Sequence, residues 1–372
     1  MKIFIWTGNF YPSIGGVQVW AAAFAAALVA HGHEVRLITT QRADGCEDDY
    51  TFQVIRTSSP WEFWRLLYWC DVYFQNAEGF EHGKRFLLNI KYAGLLLFRR
   101  PWIITHHLNA FDEVRKLTWT KRLRVMIYRM ATHICVSKAS GLALPLPSIV
   151  IENFYRVETF KRFPEIKKDK DILFVGRLTW YKGVDLLIQT VGLLKKKGHN
   201  YEIGIVGVGN DESYFRDLTE EEGLTDQVHF LGVKRDAELA RIMNEYKIIV
   251  IPSVAIPAVS IETFGLVAVE GIACGCVAVG TDGSGLKEAI GPCGVTFPSG
   301  DMLALSCILS NLLTQPELRD DLLLHADVHL QQFETNRVVE KYLEVFEQAQ
   351  IHGKFPFALK HLAPVEKRAV VE

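Results

Sequence analysis

At 372 residues, 49% hydrophobic and 23% charged, the chain has the composition of a soluble globular protein with room for two domains, which excludes a disordered or fibrous chain. Its formal net charge of −2 hides an asymmetry: residues 1–160 hold 18 Lys and Arg against 13 Asp and Glu (+5), and the remainder holds 23 against 30 (−7). The seven cysteines are scattered without CxxC pairs, which fits a reducing compartment and argues against structural zinc. From the N-terminus, KIFIWT reads as a strand, GNFYPSIGGV as a glycine-rich loop, VQVWAAAFAAALVAHG as a helix and HEVRLITT as a second strand. The loop interrupts any signal-peptide core, and the longest clean apolar run, the 12 residues from Val19 to Ala30, is too short to span a bilayer. Gly15-Gly16 ends the loop. A glycine pair at a strand-to-helix turn lets backbone N–H groups approach a diphosphate, and a plain loop is the alternative.

Beyond Arg100-Pro101, WIITHH reads as a strand, followed by a helical stretch from about Thr118 and by HICVS and SIVIENF. His106 and His107 end the first of these; a histidine at a strand end is more often structural than functional. The charged stretch RFPEIKKDKD then precedes a restart near Asp171. ILFVG is a strand that stops at a glycine, Arg177 and Lys182 follow, and a helix begins with VDLLIQTVGLL. Two long cations at the C-terminal end of a strand suit a diphosphate, Arg as a planar fork and Lys as a point charge. Alternation continues to about residue 312 through IVGVGN, VHFLGV and TDGSGLKEAI, implying a parallel sheet. A nicotinamide-type GxGxxG is absent, because Glu212 stands where the third glycine after Gly207-Val208-Gly209 would fall.

The segment SIETFGLVAVEGIACG (260–275) carries the most information. IIVIPS (248–253) leads in as a strand, so the segment reads as a loop and then a helix. Glu262 falls in the loop and Glu270 about a turn and a half inside the helix, at roughly 1.5 Å per residue. The helix N-terminus seats an anion, and the carboxylates accept from hydroxyls. One ligand combining an anion with hydroxylated rings, a nucleotide sugar, meets both. Taken singly, each glutamate reads as a solvated helix-end charge.

GRLTWYKG (176–183) followed about 80 residues later by SIETFGLVAVE resembles the retaining glycosyltransferases of family four, also called glycosyl transferases group 1; the likeness runs from Met1 to about Phe346. It implies the GT-B fold, an α/β architecture of two Rossmann-like parallel-sheet domains facing across a cleft at the C-terminal edges of both sheets. An acceptor-binding domain is expected over 1–160 and a nucleotide-sugar-binding domain over 170–332. A helix over 333–350 would return to the first domain, and 351–372 is a tail. The resemblance implies catalytic roles for His107, Arg177, Lys182 and Glu262. Arg177 and Lys182 would hold the donor diphosphate and Glu262 the donor sugar. His107 would line the sugar site through its Thr-x-His spacing, with His106 as the alternative. Gly15, Gly16, Gly209, Val233, Phe264, Gly265, Leu266 and Glu270 would bind the donor, Glu270 through the ribose hydroxyls. Asn153 departs from the family, whose usual Asn-Gly is here Asn153-Phe154.

The implied activity is a retaining hexosyl transfer from a nucleotide-diphosphate sugar to an acceptor hydroxyl, giving an α linkage from an α donor. No protein nucleophile is evident, and no metal or other cofactor is required when protein cations meet the departing diphosphate. The partners implied are the donor and a carbohydrate or lipid-linked acceptor of cell-surface polysaccharide, lipopolysaccharide or glycolipid synthesis, with no nucleic acid. Other GT-B chemistry, such as a sugar-nucleotide epimerase or a phosphorylase, and a non-catalytic nucleotide-sugar-binding subunit are the alternatives. The basic and apolar stretches 84–102 and 116–130 suggest a cytoplasmic protein in peripheral contact with an anionic membrane, the inner face of the cytoplasmic membrane; ordinary helices are the other reading.

Overall fold

The computed structural model describes residues 1–12, 15–43, 49–77, 90–107, 126–144, 146–254, 262–283 and 285–352. It divides into two compact units, the first being Met1–Asn153 with a second stretch from Thr335, the second Phe154–Glu334. The sequence boundary at 160–170 lies inside the second unit for a visible reason. Asn244 accepts from Phe163 N–H at 2.8 Å and donates to Lys161 C=O at 2.9 Å. Lys168 Nζ donates to the carbonyls of Met243, Tyr246 and Cys274 at 3.1, 2.7 and 3.1 Å. The charged stretch is thereby fastened to the second unit instead of hanging free.

The first unit runs β1 (Lys2–Thr7), α1 (Gly16–Ala30), β2 (Glu34–Thr39), β3 (Gln53–Arg56), α2 (Pro60–Trp69), β4 (Val72–Ala77), α3 (Ile90–Phe98), β5 (Trp102–His106), β6 (Thr132–Cys135), α4 (Lys138–Ala143) and β7 (Ile149–Val150). The seven strands form one parallel sheet in the order β3-β2-β1-β4-β5-β6-β7. β3, α2, β4 and the short α4 are elements that the sequence pattern left unassigned. α1 buries Trp20, Phe24 and Leu28, one residue per turn, as an amphipathic period demands.

The second unit runs β8 (Lys170–Val175), α5 (Val184–Lys196), β9 (Ile203–Val206), α6 (Glu212–Glu221), β10 (Val228–Gly232), α7 (Asp236–Glu245), β11 (Tyr246–Ile251), α8 (Leu266–Ala273), β12 (Val277–Thr281), α9 (Leu286–Ile290), β13 (Gly294–Phe297), α10 (Met302–Thr314), α11 (Pro316–Leu323) and α12 (Ala326–Gln331). Its six strands are also parallel, in the order β10-β9-β8-β11-β12-β13. Strand residues Ile172, Phe174, Ile205 and Val250 pack with Leu187 and Val191 of α5 into its core. α5 is favoured at both ends, with Asp185 in its first turn and Lys195 and Lys196 in its last, each opposing the helix dipole.

The last helix among the described residues, α13 (Thr335–His352), packs on the first unit. Its Tyr342 and Phe346 join Trp20, Phe24 and Phe74, with Phe24 and Tyr342 ring centroids 4.8 Å apart and Phe74 and Phe346 5.6 Å apart. Thr105 Oγ1 donates to Tyr342 Oη at 3.2 Å, and Lys341 pairs with Glu152 at 3.0 Å.

In each parallel sheet all strand C-termini share one edge, and strand order reverses once: between β1 and β4, and between β8 and β11. Doubly wound sheets bind ligands at that reversal, where the outgoing loops splay to opposite faces.

Candidate functional site

In the second unit the reversal point is lined by the residues that the sequence singled out. Arg177 leaves β8 exposed, and among the described residues no acceptor pairs with its guanidinium. The short turn Trp180–Lys182 follows and ends at Gly183, whose φ of 72° is left-handed. A Cβ there would lie 2.0 Å from the carbonyl oxygen of Pro252, so only glycine lets the β8 turn lie against the end of β11. The turn is tied down twice more. Leu178 N–H donates to Val208 C=O at 3.0 Å, and Trp180 N–H donates to Asp211 Oδ2 at 2.7 Å.

From this turn Lys182 reaches across the reversal to Glu262 in the loop after β11. Nζ and Oε2 are 2.5 Å apart, and the side chains are 24% and 19% exposed. Ser253 Oγ also donates to that oxygen, at 3.4 Å, while its carbonyl accepts from Thr281 Oγ1 at 2.8 Å. The pair is therefore partly desolvated and held on strand ends. Three residues beyond Glu262, Gly265 caps α8 with φ 84°; a Cβ there would strike Leu286 Cδ2 at 2.2 Å. Phe264 is buried, its ring 5.4 Å from that of Phe333, so a ligand would meet its backbone and not its ring. Leu266 opens α8, where the first backbone N–H groups have no intrahelical acceptor.

Glu270 sits on the same helix but does not join the ion pair. It is 9% exposed, and among the described residues no donor reaches its carboxyl. Burial raises the group to about 8, an effect that nearby Arg156 opposes and Asp236 reinforces. Arg156 and Asp236 are themselves paired at 2.5 Å. Burial thus favours the protonated form of the Glu270 carboxyl. Gly209 and Val233 follow β9 and β10 on the same sheet edge. A Cβ on Gly209 would lie 2.0 Å from Leu178 C=O, and Val233 is exposed.

The reversal point of the first unit has a different chemistry. Gly15 caps α1 in extended backbone, and Gly16 begins the helix with open space where a Cβ would stand. His107 Nε2 donates to Asn76 Oδ1 at 2.8 Å, because the Asn76 amide nitrogen is committed to Thr7 Oγ1 at 3.3 Å and the Thr7 hydroxyl to Asn9 C=O at 2.9 Å. This chain joins the ends of β1, β4 and β5 and fixes the His107 tautomer with Nδ1 as acceptor. Burial lowers His107 to about 3. His106 faces the other side: it donates from Nε2 to His133 Nδ1 at 2.9 Å, and His133 Nε2 donates to Tyr128 C=O at 2.8 Å. Burial, with His133 and His107 nearby, holds His106 well below its ordinary value. Sequence reasoning missed Ser253, Asn76, Asp211 and the Arg156–Asp236 pair. Asn76 carried a readable signal, a polar pair closing the apolar run VYFQNA.

Of the basic and apolar stretches, Leu117, Trp119, Lys121, Arg122 and Arg124 lie outside the described residues, whereas Met126 and Met130 are exposed. No helix among the described residues is long and apolar enough to cross a membrane.

Comparison with known proteins agrees with this architecture. Residues 156–324 match the family model described as glycosyl transferases group 1. An uncharacterized glycosyltransferase of Methanocaldococcus jannaschii, MJ1607, is 36% identical over 132 residues, 35% of this chain and 32% of that protein. The N,N'-diacetylbacillosaminyl-diphospho-undecaprenol alpha-1,3-N-acetylgalactosaminyltransferase of Campylobacter jejuni is 26% identical over 71% of this chain and 64% of its own length. Across several curated relatives the matched region spans only 32% to 40% of the relative's length. Among solved structures, the Anabaena protein HepE in complex with UDP is similar with a TM-score of 0.77, at 18% identity, covering 94% of this chain and all of that one. The two parallel α/β units are those of the GT-B fold.

Proposed function

We propose that this chain is a retaining glycosyltransferase that takes a sugar from a nucleotide-diphosphate donor bound at the β8/β11 reversal and passes it to an acceptor hydroxyl. The observation that carries this reading is the Lys182–Glu262 pair, with Arg177 earlier on the same β8 turn and, among the described residues, without an acceptor for its guanidinium. A diphosphate entering there meets a planar guanidinium, an ammonium and the N–H groups that open α8. As the bond from the anomeric carbon to the diphosphate oxygen breaks, negative charge grows on that oxygen. These donors are already placed to stabilise it.

Lys182 then exchanges Glu262 for phosphate. Glu262 is freed to accept from a hydroxyl of the donor sugar, and Glu270 accepts from the ribose. Glu262 is assigned to holding the sugar and not to covalent attack. Front-side attack by the acceptor hydroxyl, whose proton passes to the departing diphosphate oxygen on the same face, retains the anomeric configuration. No divalent ion takes part in this reading, so chelation with EDTA should leave the rate unchanged. Gly209 and Val233 are assigned to the nucleoside through backbone contacts. The donor roles that the resemblance implies for Gly15, Gly16 and His107 remain part of this proposal, and the acceptor is assigned to the first unit.

The Campylobacter jejuni relative is named for a lipid-linked substrate, and the Anabaena structure holds UDP. These support a uridine nucleotide and a lipid-linked or carbohydrate acceptor here, in cell-surface glycan or glycolipid synthesis with peripheral contact at the cytoplasmic membrane. The test begins with a thermal-shift screen of nucleotide sugars, since a ligand of the folded state raises stability by mass action. The stabilising donor is then incubated with candidate acceptors, and the anomeric configuration of the product is read by NMR. Retention is the expected result; inversion, or a rearranged donor without acceptor, overturns it.

A further inference from the structure

Surface helices in folded proteins present polar residues outward. α2 breaks that pattern. Its Phe63, Leu66 and Leu67 fill the core of the first unit, yet Trp61 and Tyr68 stand 73% and 71% exposed. Seven residues apart, they share one helix face. Trp64 lies between them, its ring 5.8 Å from that of Trp61 and 6.3 Å from that of Phe98. Phe98, at the end of α3, is also 6.0 Å from Tyr68. α3 comes this close because of Gly94, where a Cβ would lie 2.9 Å from Trp64 Nε1. Leu97, one residue before Phe98, is 65% exposed. The two helices therefore build a continuous aromatic face whose inner members, Trp64 and Phe98, pack against the core and whose outer members, Trp61 and Tyr68, stand exposed beside Leu97.

Cations frame this face. Arg100 donates from Nε and Nη2 to the Leu67 and Tyr68 carbonyls at 3.2 and 2.9 Å, closing the C-terminus of α2 beside Tyr68. Arg99 next to it is exposed. The acid of α2 is Glu62, and it is already paired with Arg65.

We propose that the α2–α3 face docks on an anionic lipid bilayer. Indole and phenol rings join an apolar body to a polar edge, which is the chemistry of the headgroup boundary. Guanidinium groups at the rim match lipid phosphates, and the surplus of five positive charges in residues 1–160 adds attraction over the screening length. This deepens the membrane part of the proposed function by naming the surface, and it is independent of the chemistry in the second unit.

The test is co-sedimentation of the full chain with phosphatidylglycerol–phosphatidylcholine vesicles and with phosphatidylcholine vesicles, using wild type, Trp61→Ser/Tyr68→Ser and Arg99→Ser. Circular dichroism and UDP binding confirm that each variant is folded. The expected result is binding to anionic vesicles at least tenfold stronger than to neutral ones. The aromatic double variant should lose at least fivefold on both, and Arg99→Ser should lose two- to fivefold on anionic vesicles alone. A double variant that sediments as well as wild type overturns the proposal. So does a wild type that binds no vesicles, including the case where the substitutions instead abolish a dimer seen by sedimentation velocity, which would make the face a protein interface. UDP binding that fails while vesicle binding persists would remove the donor-site reading and leave this surface standing.

Discussion

The two units share a parallel doubly wound plan and use the reversal point of the sheet in opposite ways. In the second unit the strand ends carry charge that is only partly paired, on turns that need left-handed glycines at 183 and 265. In the first, the corresponding strand ends carry neutral groups in closed hydrogen-bond chains, Thr7–Asn76–His107 and His106–His133. A charged, under-satisfied edge is ready to exchange an internal partner for a phosphate. A neutral edge whose groups are tied to one another offers shape and fixed donors and acceptors instead.

The largest expected difference between the units is in rate. Arg177→Ala and Lys182→Ala should each lower kcat/KM by about 10²–10³, the loss expected when one preorganised donor to a developing oxyanion is removed. His107→Ala should lose less, and His106→Ala should act mainly on stability, because its imidazole is bound inward to His133. Steady-state kinetics together with thermal unfolding of all four variants checks this. Equal activity after His107→Ala would remove that residue from the site.

The next difference is in pH. Glu270 has a folded-state value of about 8 against 4.5 when unfolded, so the folded state holds the extra proton. Its contribution falls as pH rises from 4.5 through 8, by about 1.4 kcal/mol per unit while the two states differ. Glu270→Gln should therefore stabilise the protein relative to wild type by a few kcal/mol at pH 8.5, and hardly at all at pH 4.5. His107 has the opposite sign. Its folded value is about 3 and its unfolded value 6.5, so its contribution is complete above 6.5 and is lost as pH falls toward 3. Hydrogen exchange, corrected for intrinsic rates, should show β5 weakening in acid and α8 weakening toward base. A common slope in both elements would break the contrast. Donor binding at pH 7 should also release close to one proton in wild type and none in Glu270→Gln, read by calorimetry in two buffers of different ionisation enthalpy.

Smaller still is a backbone effect. Gly183→Ala places a methyl 2.0 Å from Pro252 C=O in left-handed backbone, and should cost about 1–3 kcal/mol of stability. Gly16→Ala, with open space around it, should cost less than a third of that in thermal melts.

The same contrast explains what was readable in the sequence. Glycine turns next to long cations, and glutamates at fixed distance from a Gly-capped helix, are local patterns. GRLTWYKG and SIETFGLVAVE therefore pointed to Lys182 and Glu262, although 80 residues separate the partners. The closure of the first unit is non-local. Thr7, Asn76 and His107 come from three strands, and β3, α2 and β4 are short elements whose aromatic-rich sequence lacks a clean period. The fastening of Lys168 to three carbonyls could not be read from a run of charges, which looks like a linker until its partners are in place.

The central claim is that Arg177, Lys182, Glu262 and Glu270 form one nucleotide-diphosphate-sugar pocket in the second unit. Isothermal titration of the donor selected by thermal shift, into wild type, Lys182→Ala and Glu270→Gln, tests it most directly. The account predicts a single site in wild type, with affinity lowered at least tenfold in both variants. Undiminished binding in Lys182→Ala, or the absence of nucleotide-sugar binding in wild type, would contradict it.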